Sequence, residues 1–329
     1  MIGSHRIFVA TVASIVSKPE LLQLKHFQRV IIDEASQILE PLLVGLLPHF
    51  ERFILIGDHK QLPAVVVQDA EASTVYDARL QEIGLGNLRN SLFERLYKRC
   101  IQYGWDWAYA QLSHQGRMHQ DIMEFPNRYF YDGTLKILPP SLPAHLKQVA
   151  NISHYNQSEG ESLEERLSRS RVVFLPTPAD DSSATQKTNS HEAQLVGEVV
   201  EAFHSIYETN GWKMAPHSIG VITPYRAQIA QIRAVLEERG APLDMLTIDT
   251  VERYQGGARD VILISLCTNS LHQLASLSSF SDEGVDRKLN VALTRAREHI
   301  VIMGNPELLR QSDIYRELLQ FCEERTVEP

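Results

Sequence analysis

Positive charge, cysteine and long apolar runs are all scarce in this sequence. Its 329 residues carry 32 lysines and arginines against 41 aspartates and glutamates, a net charge of -9 with histidine neutral. A general positive field that coats nucleic acid is therefore excluded, whereas a narrow groove making a few backbone contacts is not. Cys100, Cys267 and Cys322 are odd in number and widely spaced, with no CxxC and no Cys/His metal spacing. They argue for buried or incidental thiols over disulfides or zinc. No apolar run approaches the ~20 residues of a membrane span, and Met1-Ile2-Gly3-Ser4-His5-Arg6 lacks the apolar stretch of a secretory signal. The expected place is the interior of a cell, cytoplasmic or nuclear. What is present is ordinary for a soluble globular protein: 43% hydrophobic and 22% charged residues, in a length that suits two domains.

The order of elements is that of α/β proteins. Residues 7–12, 30–33 and 53–56 have strand character, and 39–47 is the crossover helix between the last two, which implies a parallel sheet. Residues 70–104 are mostly helical in pattern, with Leu88, Leu92, Leu96 and Tyr97 at helical spacing. A second α/β unit begins near Ala108, dividing the chain into 1–107 and 108–329. Its strands are expected at 172–175, 220–223, 246–249, 261–267 and 300–303, and its helices at 192–207 and 228–238. Asn305-Pro306 is a good cap and first-turn pair for one terminal helix running through Leu309, Leu318 and Phe321. Loops are expected at 157–171, which is charged and has helical potential, at 176–190 and at 276–286.

Two polar clusters end apolar runs. Asp33-Glu34-Ala35-Ser36 follows Val30-Ile31-Ile32, and Gly57-Asp58-His59-Lys60-Gln61-Leu62-Pro63 follows Phe53-Ile54-Leu55-Ile56. Both would sit at the carboxyl edge of a buried parallel sheet, where α/β proteins bind ligands. An Asp held there can position Mg²⁺, and the adjacent Glu can orient and deprotonate a water that attacks a γ-phosphate. Alone, the Asp-Glu pair reads as a solvated strand end or a helix N-terminal charge, and the second cluster as a polar turn stopped by Pro63.

Three further blocks complete a pattern: Gln115-Gly116-Arg117-Met118-His119, TVERYQGGARD from Thr250 to Asp260, and NVALTRAR from Asn290 to Arg297. In this order the five blocks resemble the motor core of superfamily 1 helicases, in the Upf-like branch of the nonsense-mediated decay helicase and its DNA-acting relatives. The resemblance implies two RecA-like α/β domains with mainly parallel sheets, the first incomplete at its N-terminus. It also implies Mg²⁺-ATP hydrolysed between the domains, and 5′ to 3′ movement along single-stranded DNA or RNA. It makes Asp33 the metal ligand, Glu34 the base and Gln61 the γ-phosphate sensor. Arg117 and Arg295 become the arginines offered to the γ-phosphate; otherwise each reads as a surface ion-pair residue at a strand end. Gln115, Gln255 and Gly256 become cofactor contacts, and Thr250 touches nucleic acid.

Thr223-Pro224-Tyr225-Arg226-Ala227-Gln228 follows a strand and opens a helix, so Thr223, Tyr225 and Arg226 can face a phosphate backbone; an ordinary helix start is the plain alternative. Thr11 is their counterpart in the first domain. Asn189 and Glu192 match a signature taken as structural, and His119 is read as a hydrogen-bonded packing residue. Trp105 and Trp107 can stack bases, but beside an apolar run they are read as core.

The sequence departs from the family in three places. None of the 17 glycines precedes a lysine, so the GxxxxGK[ST] loop that cradles phosphates is missing. The chain is accordingly expected to be inactive alone and to need a motor segment, or a partner, that supplies the loop. Gly116 stands where relatives often carry a base-stacking tyrosine, and Ala258 where many carry an acidic residue that helps hold the nucleotide. These departures favour a rival reading, a non-catalytic helicase-like module that binds nucleic acid or protein.

Overall fold

The computed structural model describes residues 5–139, 162–183, 186–216, 218–254 and 257–327. The chain divides into two compact units, Met1–Gln111 and Leu112–Pro329. Both are α/β with parallel sheets.

The first unit contains α1 (Val12–Ser17), β1 (Phe27–Ile32), α2 (Glu40–Leu46), β2 (Phe50–Leu55), α3 (Ala78–Glu82) and α4 (Leu92–Tyr103). Strands β1 and β2 pair in parallel, Phe27 opposite Phe50 and Ile32 opposite Leu55, and α2 supplies the crossover that a parallel pair requires. Ile32, Ala35, Leu43, Leu46 and Leu92 form the core, with Val12, Ile15 and Leu96 packed against it. Helix α4 starts where the Ser91 hydroxyl accepts the Glu94 N–H and stops at Gly104, whose φ of 64° is left-handed. A buried ion pair ties α4 to the start of α2: Arg95 Nε donates to Glu40 Oε2 at 2.8 Å.

Two expectations for this unit are corrected. Residues 7–12 form no strand; Thr11 has extended backbone and caps α1, its hydroxyl accepting the Ser14 N–H at 3.1 Å. An apolar run becomes a strand only where another strand pairs with it, and the cap commits the next residues to helix. Within 70–104, helix is confined to α3 and α4, and Leu88 lies outside both.

The second unit contains β3 (His114–Gln115), α5 (Gln120–Tyr129), β4 (Lys136–Ile137), α6 (Leu163–Arg169), β5 (Val172–Pro176), α7 (Ser190–Thr209), β6 (Ile219–Ile222), α8 (Arg226–Glu238), β7 (Leu246–Asp249), β8 (Arg259–Ser265), α9 (Leu274–Leu277), α10 (Arg287–Leu293), β9 (Ala296–Gly304), α11 (Pro306–Leu309) and α12 (Asp313–Val327). Its main sheet has the order β5-β9-β8-β6-β7, every pair parallel. Val173, Val221, Leu263 and Val301 pack with α7 and α8 in one large core. The alternating set Ile262, Ile264, Ile300 and Ile302 is equally buried, so both faces are covered and the strands read as continuous apolar runs. Helix α12 packs along β5, and α5 and α10 along β9.

Two expectations for this unit are also corrected. Asn305 does cap a helix, its side chain accepting the Glu307 and Leu308 N–H groups, but that helix ends at Leu309 and α12 begins separately. The expected loop 157–171 contains α6, opened by a Ser162/Glu165 capping box; residues 157–161 lie outside the described residues. No helix among the described residues is long and apolar enough to cross a membrane. All three cysteines are buried.

Candidate functional site

In the first unit the two polar clusters leave the carboxyl ends of neighbouring strands and are stitched together by backbone. Ile56 N–H donates to Ile32 O and Ala35 N–H to Ile56 O, both at 2.8 Å, and Asp58 N–H reaches the Ser36 hydroxyl at 3.2 Å. Gly57 makes this approach possible: a Cβ there would lie 2.9 Å from Ser36 N and 3.1 Å from its Oγ. The turn places Glu34 at φ 52°, a left-handed conformation that costs a non-glycine residue about 1 kcal/mol or more. Asp33 and Glu34 are exposed at this edge. Asp33 Oδ1 accepts the Glu34 N–H, and Glu34 Oε2 accepts from Gln37 Nε2 at 2.6 Å. Gln61 lies in the second cluster, its amide donating to Asp58 Oδ2 at 2.9 Å. An exposed carboxylate such as Asp33 is a hard oxygen donor, fitted to a magnesium ion that keeps several waters and phosphate oxygens.

In the second unit Thr294 holds both Arg117, from 177 residues away, and its neighbour Arg295. Arg117 Nη1 donates to Thr294 O at 3.1 Å, and Arg295 Nη2 donates to Thr294 Oγ1 at 3.3 Å while its Nε holds Val291 O at 3.2 Å. Arg117 is half-buried, whereas Arg295 is the largest fully enclosed side chain among the described residues. Gln115 folds back on its own turn: its carbonyl accepts the Arg117 and Met118 N–H groups, and its amide donates to Met118 O. His119 caps α5 through Nδ1, which accepts the Asp121 N–H.

The groups expected to touch a strand gather at the opposite edge of the sheet. Thr223 and Thr250 follow the carboxyl ends of β6 and β7, whereas Arg295 precedes the amino end of the parallel strand β9. Thr223 is 1% exposed, and its hydroxyl has no partner among the described residues. It lines a cleft with Glu252, Ser276, Lys288, Leu289 and Tyr315. Tyr225 Oη shares a hydrogen with Ser276 Oγ at 2.7 Å, and Lys288 Nζ donates to Ser276 O at 3.0 Å. Arg226 is exposed at the start of α8, and Thr250 N–H donates to Asp249 Oδ1. Thr11, in the first unit, is the cap of α1. Gln255 and Gly256 lie outside the described residues.

A buried polar network behind this edge went largely unread in the sequence. Glu192 is fully buried and accepts from Ser265 Oγ at 2.7 Å, Cys267 N–H at 2.8 Å and Thr268 N–H at 3.3 Å. Burial outweighs these donors and pushes its carboxyl up to about 7. Gln228 bridges Asn189 and Ser265, and Cys267 takes a left-handed φ of 50°. The NSHEA signature marks Asn189 and Glu192, but Gln228 lies 39 residues from Asn189, and Ser265, Cys267 and Thr268 lie 73 to 76 residues from Glu192.

A family model described as an AAA domain matches residues 88–307, and a second with the same description matches residues 1–69. Over 314 residues the chain is 29% identical to an ATP-dependent helicase of Methanocaldococcus jannaschii, a match that covers 92% of the chain and 40% of that protein. It is 30% identical to the DNA replication ATP-dependent helicase/nuclease of Xenopus laevis, over 94% of the chain and 28% of the relative. To the Arabidopsis thaliana homolog of regulator of nonsense transcripts 1 it is 31% identical, over 91% and 21%. The chain thus spans between about a fifth and two-fifths of the length of these relatives. Among solved structures, the helicase of the virus PRRSV aligns over 85% of the chain and 35% of its own, at 16% identity and a TM-score of 0.37.

Proposed function

The chain belongs to the AAA-domain family of Upf-like superfamily 1 helicases, and from that premise we propose that its two units act in ATP-driven movement along single-stranded nucleic acid. The observation that carries the proposal is the stitching of the Asp33-Glu34 turn to the Gly57 to Gln61 turn, which fixes an acid pair and an amide at one sheet edge. Asp33 would hold magnesium, which when bound neutralises charge on the nucleotide phosphates. Glu34 orients an attacking water and takes its proton through the carboxylate oxygen that Gln37 leaves open. Gln61 reports γ-phosphate occupancy to the same loop.

Arg117, half exposed, offers its guanidinium to charge that develops on the transferring phosphoryl oxygens. Arg295, enclosed, acts as a positioning residue: it donates to the Thr294 hydroxyl and the Val291 carbonyl and so fixes the turn whose Thr294 carbonyl receives Arg117. Thr223, Tyr225, Arg226 and Thr250 face the phosphate backbone of the strand, with Thr11 contributing from the first unit. A segment bearing a Gly-Lys phosphate loop, in the same polypeptide or in a partner, completes the nucleotide site. The lack of any Gly-Lys pair in this sequence favours a second reading, a module that binds the strand without turnover.

Steady-state ATP hydrolysis with saturating oligonucleotide separates the two readings. The chain alone gives no turnover. Joined to a GxxxxGK[ST]-bearing segment it hydrolyses ATP, Glu34→Gln abolishes that rate, and Arg117→Ala lowers kcat by ~10³-fold. No turnover in the joined protein would establish the non-catalytic module instead.

A further inference from the structure

The two tryptophans expected in the core are on the surface. Trp105 is 44% exposed, Trp107 86% and Tyr103 54%. Their positions are fixed: Gly104 ends α4 in a left-handed turn, Trp105 N–H returns to Cys100 O at 2.8 Å, and Ala108 N–H closes on Trp105 O at 2.9 Å. The rings of Tyr103 and Trp105 stack with centroids 5.2 Å apart and planes 27° from parallel. Exposed, ordered, stacked aromatics leave a π-face open to a further flat ring.

A cation stands beside this platform. The Arg99 guanidinium lies 5.6 Å from the centre of the Tyr103 ring and donates to Gln102 Oε1 at 2.7 Å, to Tyr103 Oη at 3.3 Å and to Glu82 O. All three acceptors are neutral, and among the described residues no carboxylate pairs with it within 4.0 Å. Its place is set by Gly84, at φ +86°, where a Cβ would come within 2.6 Å of Arg99 Nε. A flat apolar platform flanked by a guanidinium with no carboxylate partner among the described residues matches a base joined to a phosphate better than it matches an uncharged peptide.

The platform is also connected inward. Tyr109 Oη donates to Asp106, between the two tryptophans, at 3.3 Å. Tyr109 packs edge-on to Tyr97 at 5.4 Å, and Tyr97 lies 4.9 Å from the ring of His59, two residues before Gln61. Resting on the nucleic-acid reading above, we propose that Tyr103, Trp105, Trp107 and Arg99 form a second strand contact, in the first unit, that stacks unpaired bases without sequence preference.

The test compares two labelled oligonucleotides of equal length by fluorescence anisotropy: oligo(dT), and a strand with the same phosphates but abasic sugars. Trp105→Ala/Trp107→Ala weakens oligo(dT) binding about tenfold or more, leaves abasic binding unchanged, and is largely rescued by Trp105→Phe/Trp107→Phe. In a Trp212→Phe background, where Trp105 and Trp107 are the remaining tryptophans, oligo(dT) quenches intrinsic fluorescence and the abasic strand does not. Equal loss on both strands, or no loss on either, overturns the platform. If Arg226→Ala weakens both strands while the tryptophan variant matches wild type, the platform fails and the nucleic-acid reading stands. A wild-type chain that binds neither strand refutes both, and tryptophan-dependent capture of a proline-rich peptide in place of oligo(dT) assigns the surface to a protein partner.

Discussion

Gly57→Ala tests whether the two polar clusters of the first unit are held by contact or merely lie close. The new Cβ would sit 2.9 Å from Ser36 N, 3.1 Å from Ser36 Oγ and 3.2 Å from Ser36 Cβ. Ordinary contact begins near 3.4 Å, and the nearest atom is backbone, which cannot rotate away, so the turns must part by about 0.5 Å. The Asp58 N–H to Ser36 Oγ bond, already 3.2 Å long, then exceeds hydrogen-bonding range. Overpacking and the lost bond together destabilise by about 2–3 kcal/mol. A half-ångström displacement of Gln61 relative to Glu34 lowers kcat about tenfold in the joined, active protein. Gly45→Ala is the control, since in α2 nothing lies within 4 Å of the added methyl; it should stabilise by about 0.5–1 kcal/mol. Urea unfolding followed through tryptophan fluorescence reads both, because Trp105 and Trp107 belong to the first unit. Equal midpoints for the two variants would refute the contact argument.

Titration of the second unit turns on Glu192 and His299. Burial raises Glu192 from 4.5 to about 7, so between these values the folded state binds the proton more tightly than the unfolded chain, and this group's contribution falls by about 3 kcal/mol as pH rises from 4.5 to 7. Burial lowers His299 from 6.5 to about 3; stability held by its neutral ring is present above 6.5 and lost as pH falls toward 3, by about 5 kcal/mol at most. The two oppose each other between 4.5 and 6.5, so Glu192→Gln should steepen the acid loss of stability in urea melts across that window, and an unchanged profile would show that Glu192 titrates normally. Arg295→Ala removes an enclosed guanidinium bound to Val291 and Thr294 and should destabilise by about 3 kcal/mol in the same melts. Arg295→Lys, without the planar fork, should recover little of it.

Much of the fold was legible because parallel strands covered on both faces must be apolar without interruption. The runs that became β8 and β9 needed no partner information to be recognised. Ile7, Phe8 and Val9 form a run just as apolar, yet Ile7 and Val9 are 83% and 94% exposed; a strand is a property of pairing, which local pattern does not contain. Trp105 and Trp107 were misplaced for a related reason: Gly104 turns the chain out of α4, and the helical pattern that precedes it says nothing about where the turn points. The Asp33 and Gly57 clusters were legible as the ends of adjacent strands. The bond between Arg117 and Thr294 was not, nor were the donors to Glu192, because each joins residues that only the folded sheet brings together.

Helix α10 has a mechanical consequence. It is seven residues and about 10 Å long, and every residue from Arg287 to Leu293 except Lys288 is buried. Its first turn carries Lys288, which reaches Ser276 and Glu252 in the cleft beside Thr223; its last turn runs into Thr294, on which both arginines hang. So short and enclosed a rod has no joint at which to absorb a displacement. Whatever displaces that rod as a body displaces the cleft at one of its ends together with the arginine-bearing turn at the other.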